Sequence, residues 1–331
     1  MIPLKCFISG STGFVGAHLV RHFALRGASV DTIGRGGAPP GLQKFARYCA
    51  ADIRTDIPVQ DCAIAVHAAG LASDNMTLKA LRAANVMGTQ KIFMATQSAN
   101  IFIYISSSSV YDYRSTCHTE EDPVDMALLS PYGRSKREAE NWLLSQDWRE
   151  RTLVILRPRA IYGTGDRMLL PRLLRLTRDN KIYMPGEAQP NSSLTHINNL
   201  CEAVQGSLLL PSGVHVFNVA DAFPYDLRSA IAALLSEVLD KKMCLHSIPL
   251  KPLQWIARWN DQLHLGLPIT NMALNSLIKD SVLNIHKISL KLNFTPLFSF
   301  ETALSEIGNW AREVGLSRLR EGHPGLPWMG Y

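Results

Sequence analysis

The chain has 331 residues, of which 47% are apolar and 19% are charged, and its formal net charge is +6. These fractions are typical of a soluble globular protein, and no internal repeat or low-complexity segment occurs. The basic residues are scattered, without a basic tract or an aromatic-interleaved basic patch, so no nucleic-acid partner is expected. No run of about 18 uncharged apolar residues occurs, so no membrane span is expected.

The six cysteines show neither a Cys-x-x-Cys motif nor a Cys/His spacing typical of a metal site, so no metal is expected. Several of them lie inside apolar segments, which predicts buried free thiols in a reducing compartment. The first predicted strand begins close to Met1 and leaves no room for a signal peptide. We therefore expect a cytoplasmic protein.

A glycine-rich turn follows the first predicted strand, Leu4 to Gly10, and leads into a predicted helix, Phe14 to Leu25. Glycines in such a turn allow backbone to approach a pyrophosphate closely, and the helix N-terminus supplies N–H groups for phosphates. The spacing opens as Gly-x-x-Gly rather than the Gly-x-Gly of the standard dinucleotide fingerprint. The cofactor-binding residues predicted for this turn are Gly10, Thr12, Gly13, Phe14, Val15 and Gly16.

Strand-like and helix-like segments alternate from Leu4 to about Leu156, which predicts an α/β fold with a doubly wound parallel sheet of the Rossmann type. The alternation breaks after Asp166. The later predictions are a helix from Met168 to Leu176, a loop from Lys181 to Ser192, a helix from Leu200 to Leu209, a strand from Val214 to Val219 that returns to the main sheet, and a helix from about Phe300 to Val314.

The length of the chain favours a main domain with a smaller companion. We predict a dinucleotide-binding Rossmann domain in residues 1–166 and 195–220. A smaller, discontinuous α+β domain on the substrate side is predicted in 167–194 and 221–290, and a C-terminal helix and tail in 291–331.

Tyr132 and Lys136 are four residues apart in a predicted helix, so their side chains share one face. A free tyrosine titrates near pH ~10 and is a poor acid or base at neutral pH. A neighbouring ammonium stabilises the phenolate and brings proton transfer within reach of neutral pH. Such a pair can move a proton on or off a substrate alcohol while a hydride moves elsewhere.

The glycine turn and the Tyr–Lys pair together resemble the extended short-chain dehydrogenase/reductase family, which includes the NAD-dependent epimerases and dehydratases. Further segments are similar to the family's motifs, in the family's order and over nearly the whole chain: Asp52 to Arg54, His67 to Gly70, Asn85 to Thr89, Arg157 to Asp166, Thr195 to Leu200 and Phe217 to Ala220. The resemblance implies an acidic residue beside the adenine and a turn of small residues running past the cofactor. The cofactor-binding residues it implies are Asp52, Ile53, Ala68, Ala69, Gly70, Asn85, Tyr132, Lys136 and Pro158.

The resemblance also implies a catalytic Ser or Thr three residues before the Val of Val-Tyr, which is Ser107 here. Its separation from Tyr132, 25 residues, also fits the family. The Ser107 hydroxyl would hold the substrate oxygen beside Tyr132, and Ser108 is a close alternative. Asp112 stands where the family usually has Gly, which changes the loop over the site.

The choice of cofactor depends on the end of the second predicted strand, where an NAD-type enzyme normally places an acidic residue for the ribose hydroxyls. Gly34 occupies that place, so no carboxylate repels a 2′-phosphate, and Arg35 can pair with that phosphate and stack on adenine. Asp31 lies too early in the strand for the acidic role. NADP is therefore favoured and NAD remains possible, since Arg35 could also be a solvated loop cation.

Three features bear on the substrate. The serine cluster lacks the Asp-Glu pair of the sugar-nucleotide 4,6-dehydratases, which disfavours dehydration. The apolar segment Pro249 to Leu277 suits an apolar pocket or lid, and equally suits core or dimer packing of an amphipathic helix; it contains Pro252, Trp255, Ile256, Trp259, Leu263, Leu265 and Leu267. The Arg157 to Arg172 region and Asn199 are most similar to the 3β-hydroxysteroid dehydrogenase branch, which includes 2-alkyl-3-oxoalkanoate reductases.

We therefore predict an NAD(P)-dependent oxidoreductase that interconverts a secondary alcohol and a ketone on a fairly apolar substrate. Tyr132 would be the general acid/base, Lys136 would lower its pKa and hold the nicotinamide ribose, and Ser107 would orient the substrate oxygen. One alternative is a nucleotide-sugar 4-epimerase with retained NAD, whose substrate diphosphate could be bound by Arg159, Arg167, Arg172 and Arg175. Another is a non-catalytic NADP-sensing protein, although such proteins typically lose the Tyr or Lys. The resemblance also implies a homodimer formed through helices that include the one carrying Tyr132.

Overall fold

A computed structural model describes residues 4–72, 76–263, 267 and 269–328. Its strands in chain order are β1 (Lys5–Ser9), β2 (Ser29–Gly34), β3 (Arg47–Ala50), β4 (Ile64–His67), β5 (Ile101–Ile105), β6 (Cys117–His118), β7 (Thr152–Pro158), β8 (Ile161–Tyr162), β9 (Thr177–Arg178), β10 (Lys181–Pro185), β11 (Asn191–Ser192), β12 (Thr195–His196), β13 (Gly213–Val219), β14 (Tyr225–Asp226), β15 (Cys244–Ile248) and β16 (Val282–Leu283).

The helices are α1 (Phe14–Leu25), α2 (Leu78–Arg82), α3 (Gly88–Ala95), α4 (Pro131–Leu144), α5 (Leu169–Arg175), α6 (Ile197–Gly206), α7 (Leu227–Leu239), α8 (Leu250–Leu263), α9 (Asn271–Ile278), α10 (His286–Leu292), α11 (Phe300–Val314) and α12 (Leu316–Arg320). A π-helical turn at Ala83–Met87 joins α2 to α3. In the described part of the chain, no helix combines the length and the apolar character needed to traverse a bilayer.

Seven strands form one parallel sheet in the order β3-β2-β1-β4-β5-β7-β13. The chain first adds strands on one side of β1 and then on the other, so the order reverses between β1 and β4. In such sheets ligands bind in the crevice outside the carboxyl ends of the strands at this reversal. The predicted doubly wound α/β fold is confirmed.

The central strands are buried along their whole length because helices cover both faces of the sheet. Every residue of β4 and β7 is buried, which explains their near-continuous apolar sequences. One face packs against α1 and α6 through residues such as Phe23 and Leu200. The other face packs against α3 and α4 through residues such as Ile92 and Leu143. The helices thereby hold the carboxyl edge of the sheet in a fixed geometry.

A second core lies apart from the main sheet and is built from α5, α7, β10 and α11. It includes Leu173, Ile182, Leu234 and Trp310. The small sheet β9-β10-β15 flanks this core. The domain boundaries drawn from the sequence stay a prediction.

Helices α1 and α11 have the bounds that the sequence predicts, and β13 returns to the main sheet beside β7. The prediction of a loop from Lys181 to Ser192 is wrong, because this span contains β10 and β11. Strand β10 buries Ile182 and Met184 and pairs with β15, about sixty residues later in the chain. A five-residue strand that ends in Pro185 gives little local signal, and its partner cannot be seen in a local window.

Candidate functional site

The turn after β1 is packed so closely that glycine is needed at two positions. Gly10 has a φ of +83°, and a Cβ there would lie 2.8 Å from the backbone nitrogen of Ala69. A Cβ on Gly16 would lie 2.2 Å from the carbonyl oxygen of Gly10. Helix α1 begins at Phe14 without a side-chain cap or an acidic residue in its first turn, so its first N–H groups are available to an anion. These features fit the pyrophosphate of a dinucleotide.

A first cavity lies beside this turn, over the carboxyl ends of β1, β2 and β4. Predicted cofactor residues that line it are Gly10, Thr12, Gly13, Arg35, Asp52, Ile53, Ala68, Ala69 and Gly70. The other predicted residues, Phe14, Val15, Gly16, Asn85, Tyr132, Lys136 and Pro158, are not among those that line it. Lining residues that the sequence analysis did not assign to the cofactor are Ile33, Gly34, Ala51, Arg54, Leu71, Ala84 and Arg167. Most of these are sequence neighbours of predicted ones, whereas Arg167 comes from a distant segment.

A side chain at Gly34, the last residue of β2, would require neighbouring side chains to shift. A Cβ on Gly34 would lie 2.9 Å from the Tyr48 hydroxyl and 3.1 Å from the Thr12 methyl carbon. Arg35 follows at the exposed mouth of the cavity. Asp31 instead accepts two hydrogen bonds from Arg47, at 2.6 and 2.7 Å. Asp31 is therefore paired with Arg47 of the outer strand β3, and it does not line the cavity, as its early position in β2 predicts.

Asp52 lines the same cavity as a paired carboxylate. Arg54 donates hydrogen bonds to both of its oxygens, the shorter at 2.7 Å, and these lower the pKa of Asp52 to about 2, with a smaller contribution from the charge of Arg35. The carboxylate is therefore ionised at neutral pH beside two cations. The carboxylate can accept hydrogen bonds from hydroxyl groups, and the two guanidinium groups can donate to phosphate oxygens.

Asn85 positions the turn after β4. Its amide binds both the backbone nitrogen and the carbonyl oxygen of Leu71, at 2.8 and 3.0 Å, and donates to the Ser135 hydroxyl at 2.9 Å. It therefore ties the cofactor cavity to α4. His67, at the end of β4, is fully buried between Ser9 and Thr89, and burial lowers its pKa to about 3. We infer that His67 is a neutral packing residue.

Lys136 lies on α4, which begins where the Ser130 hydroxyl accepts a hydrogen bond from the Gly133 N–H. The Lys136 Nζ donates to the Ile105 carbonyl at 2.8 Å and lies 4.6 Å from the centroid of the Tyr104 ring. Burial lowers the pKa of Lys136 to about 8, opposed by the charge of Glu140. The ammonium is therefore desolvated one helical turn from Tyr132, and its charge can influence a neighbouring proton transfer.

Glu140 continues the same helix face and was not predicted from the sequence. It is fully buried and accepts hydrogen bonds from Arg157 at 2.7 and 3.0 Å and from the Ser106 hydroxyl at 2.5 Å. The four-residue spacing of Tyr132 and Lys136 extends to Glu140, which is a signal that the sequence contained. Its buried partner Arg157 lies on β7, and only the fold shows that pairing.

The serine cluster after β5 forms a tight turn against α4. The Ser107 hydroxyl accepts from the Ser109 N–H at 3.1 Å and caps the short turn, while Ser108 is more buried. A Cβ on Gly133 would lie 2.0 Å from the Ser109 carbonyl oxygen. The start of α4, with the half-buried Tyr132, is therefore packed directly on the serine turn. The fold thus brings the segments of the predicted Ser-Tyr-Lys set together at the end of β5.

Asp112, which replaces the usual Gly, is a buried anchor of the following loop. It accepts hydrogen bonds from the Arg114 side chain at 2.6 and 2.9 Å and from the Asp125 N–H at 2.9 Å. These bonds lower its pKa well below the usual range. The loop over the site is therefore pinned by a paired carboxylate in place of a glycine turn.

A second cavity lies beyond the serine turn, over β5 and β7. Its lining includes Ser108, Ser109, Tyr113, Arg159, Asn275 and Lys279. The sequence did not indicate this cavity, because its walls come from separate segments. Of the four arginines considered for a diphosphate, Arg159 lines this cavity and Arg167 lines the first, whereas Arg172 and Arg175 are exposed on α5.

The tryptophans of the apolar segment Pro249 to Leu277 lie away from both cavities, although Asn275 and Ser276 near its end line the second one. Trp255 and Trp259 are 69% and 53% exposed on α8 and line neither cavity. The prediction that these two residues pack in the core is therefore wrong. A lid or a dimer contact stays a prediction, and Leu265 of the same segment lies outside the described residues.

A family model described as the NAD dependent epimerase/dehydratase family matches residues 6–220. The chain is 25% identical to a 4-hydroxy-2-methyl-3-oxo-4-farnesyl-3,4-dihydroquinoline-1-oxide ketoreductase from Stigmatella aurantiaca, over 97% of each chain. It is 26% identical to a 2-alkyl-3-oxoalkanoate reductase from Stenotrophomonas maltophilia, over 71% of this chain and 76% of the relative. The structure of MoeE5 in complex with UDP-glucose and NAD has a TM-score of 0.74 at 22% identity, over 93% of this chain and 99% of that one, which shows a shared fold.

The family match covers more than half of the chain, including the glycine turn, the serine turn and the Tyr132–Lys136 helix. The resemblance inferred from these motifs is confirmed. The chain belongs to the NAD-dependent epimerase/dehydratase family, the extended short-chain dehydrogenases/reductases, and is an enzyme of that family.

Proposed function

We propose that this enzyme is an NADP(H)-linked oxidoreductase that interconverts a secondary alcohol and a ketone on a fairly apolar substrate. The observation that carries this proposal is the environment of Lys136. Its ammonium is buried between the Tyr104 ring and the Ile105 carbonyl, and a Cβ on Gly70 of the cofactor cavity would lie 3.9 Å from its Nζ. A desolvated cation thus stands between the cofactor cavity and the helix turn of Tyr132.

In this proposal Tyr132 donates a proton to the ketone oxygen during reduction and removes it from the alcohol during oxidation. Lys136 stabilises the phenolate through its charge. The Ser107 hydroxyl holds the reacting oxygen by a hydrogen bond and so orients the substrate. When bound, the nicotinamide cofactor supplies or accepts the hydride.

Residues of the first cavity would hold this cofactor. The pyrophosphate would be placed against Gly10, Gly13 and the start of α1, where uncapped N–H groups are available. The lack of a carboxylate at Gly34 and the exposed Arg35 beside it support a 2′-phosphate and therefore NADP(H). NAD(H) is the alternative.

Two relatives support an apolar ketone. One acts, by its name, on a farnesyl-bearing quinoline oxide and the other on 2-alkyl-3-oxoalkanoates. The exposed apolar face of α8, which includes Trp255 and Trp259, could contact such a substrate as a lid. We also expect a homodimer, because the family resemblance implies one; Met94 on α3 and Leu144 on α4 are among the exposed apolar residues.

A nucleotide-sugar 4-epimerase with retained NAD is the second candidate, because the fold is shared with MoeE5, whose structure contains UDP-glucose and NAD. The dispersal of Arg159, Arg167, Arg172 and Arg175 over two cavities and an exposed helix face disfavours it. NAD that copurifies with the protein would favour it. A non-catalytic NADP sensor is disfavoured by the presence of Ser107, Tyr132 and Lys136 together.

The proposal is tested by the Tyr132→Phe substitution, with consumption of NADPH measured over a panel of apolar ketones. We expect turnover to fall about 10²- to 10⁴-fold, the usual contribution of a general acid, while NADPH still binds. Tyr183→Phe, on β10 of the small sheet, is the control and should keep wild-type turnover. Undiminished turnover by Tyr132→Phe would contradict the assignment.

A further inference from the structure

Arg159 and the serine turn lie over the same crevice of the sheet. Strands β5 and β7 are parallel neighbours with Ile105 opposite Leu156. Ser108 and Arg159 each follow this pair by three residues, so the register brings both beyond the carboxyl ends of adjacent strands. Both line the second cavity. Arg159 is therefore close to the segment that carries the proposed catalytic serine.

The backbone of Arg159 is held firmly at this position. Its N–H donates to the Thr195 hydroxyl at 3.1 Å, and its carbonyl accepts from the same hydroxyl at 2.9 Å. The side-chain Nε donates to the Ser192 hydroxyl at 3.1 Å. The guanidinium is thus anchored through one nitrogen, which leaves its terminal NH₂ groups for another partner.

Arg159 differs from the neighbouring cations because it has no carboxylate partner among the described residues. Arg157 is paired with Glu140, and Arg114 is paired with Asp112. Burial lowers the pKa of Arg159 to about 10, and no nearby acid opposes this shift. A desolvated guanidinium without a counterion is costly, and a bound anion would offset that cost.

Neither carboxylate that lines the second cavity forms an ion pair with Arg159. Asp112 is bound by Arg114, and Asp280 accepts a hydrogen bond from the Asn191 N–H at 2.8 Å. The remaining polar lining is mainly hydroxyl and amide groups, such as Ser109 and Asn275. Asp280 and Lys279 are both exposed, so solvent screens their charges, whereas Arg159 is a half-buried cation near the serine turn without a carboxylate partner among the described residues.

We propose that Arg159 binds a carboxylate of the substrate in the second cavity, so that the substrate class is an apolar oxo or hydroxy acid. This inference rests on the proposed function. The guanidinium fork matches the planar carboxylate and can bind it through two hydrogen bonds. A single half-buried arginine suits one such charge better than a diphosphate, because Arg172 and Arg175 lie on an exposed helix face and Arg167 lines the other cavity.

The first test compares turnover of 3-oxooctanoate with that of its methyl ester, which has the same ketone without the charge. We expect the wild-type enzyme to prefer the acid. Arg159→Met should lower kcat/KM for the acid about 10- to 100-fold, mainly through KM, and leave the ester unchanged, because hydrogen bonds to a charged group are lost. Arg159→Lys should recover part of this loss. Lys242→Met removes an exposed cation that lines neither cavity and should change turnover of either substrate by less than about twofold, since solvent screens its charge.

The second test does not depend on turnover and measures equilibrium binding of octanoate and of UDP by calorimetry. We expect octanoate to bind wild type about 10- to 100-fold more tightly than Arg159→Met. Equal octanoate binding, or equal loss of acid and ester turnover in Arg159→Met, would overturn the carboxylate site. UDP binding that depends on Arg159 while octanoate binding does not would also overturn it and would favour a nucleotide sugar. If neither ketone is turned over by wild type but octanoate binding needs Arg159, the oxidoreductase proposal fails for these ketones and the anion site stands.

Discussion

The two cavities lie at the same edge of one sheet but are built in different ways. The first is lined mainly by four segments at the carboxyl ends of β1, β2, β3 and β4, and many of their lining residues are glycine or alanine, such as Gly10, Gly34 and Ala68. The second is lined by larger polar side chains from separate parts of the chain, including Tyr113, Arg159 and Asn275. The shape of the first cavity depends on small residues that leave space for a ligand. The shape of the second depends on which side chains the fold brings together.

Their charges differ in the same way. At the first cavity, Arg35 is exposed at the mouth and Arg54 is paired with Asp52. At the second, Arg159 is half-buried and has no acidic partner among the described residues. Lys136 lies between them and is supported by Glu140, one turn further along α4. In the proposed function, the chemistry is therefore placed between a cavity for the cofactor and a cavity for the substrate.

We expect Glu140→Gln to have the strongest effect, because it removes the carboxylate that pairs with Arg157 and acts on the charge of Lys136, between the two cavities. The substitution leaves the buried guanidinium of Arg157 without its counterion, and we expect the free energy of unfolding to fall by about 3–5 kcal/mol. Glu140 raises the pKa of Lys136, so its removal should lower that pKa further below about 8. The high-pH limb of the activity profile should then move to lower pH, because the ammonium is lost earlier.

The control for Glu140→Gln is Glu138→Gln on the same helix, which breaks a pair with the exposed Arg82. We expect a much smaller loss of stability and an unchanged pH profile, because solvent screens that pair. Urea denaturation and turnover as a function of pH measure both quantities. Equal effects of the two substitutions would show that Glu140 does not support Lys136.

Gly133→Ala should have the next largest effect, because it separates the serine turn from α4. The added Cβ would lie 2.0 Å from the Ser109 carbonyl, and relief of this contact should cost about 1–3 kcal/mol. Turnover should fall while NADPH affinity is retained, because the first cavity is not touched. Gly37→Ala is the matched control, since no atom lies within 4 Å of its added Cβ. A fall in NADPH affinity with normal turnover would contradict this division between the cavities.

Arg35→Ser should have the smallest effect and tests the mouth of the first cavity. We expect NADPH affinity to fall about tenfold and NADH affinity to change less, because the exposed Arg35 is proposed to pair with the 2′-phosphate that only NADPH carries. Nicotinamide fluorescence during titration with each cofactor measures this. Lys44→Ser, an exposed cation further along the same region, should change neither affinity. Tighter NADH than NADPH binding by the wild type would count against NADP and favour the epimerase.

Sequence alone predicts the α/β alternation, the bounds of α1 and α11, the glycine turn and the shared helix face of Tyr132 and Lys136. These features depend on periodicity and on spacings of a few residues, which a local stretch of sequence contains. The misplaced loop at Lys181 shows the limit of that information, because β10 is specified by pairing with the distant β15. The domain boundaries and the roles of the predicted site residues stay predictions.

Which buried charges have a counterion becomes visible only in the folded chain. Glu140 is paired because Arg157 approaches from β7, whereas Arg159, two residues further along the chain, has no described carboxylate beside it. Nothing in the local pattern distinguishes these two arginines. The difference arises because burial and counterions depend on segments that are distant in sequence and adjacent in space, and the free energy of a charge depends on those surroundings.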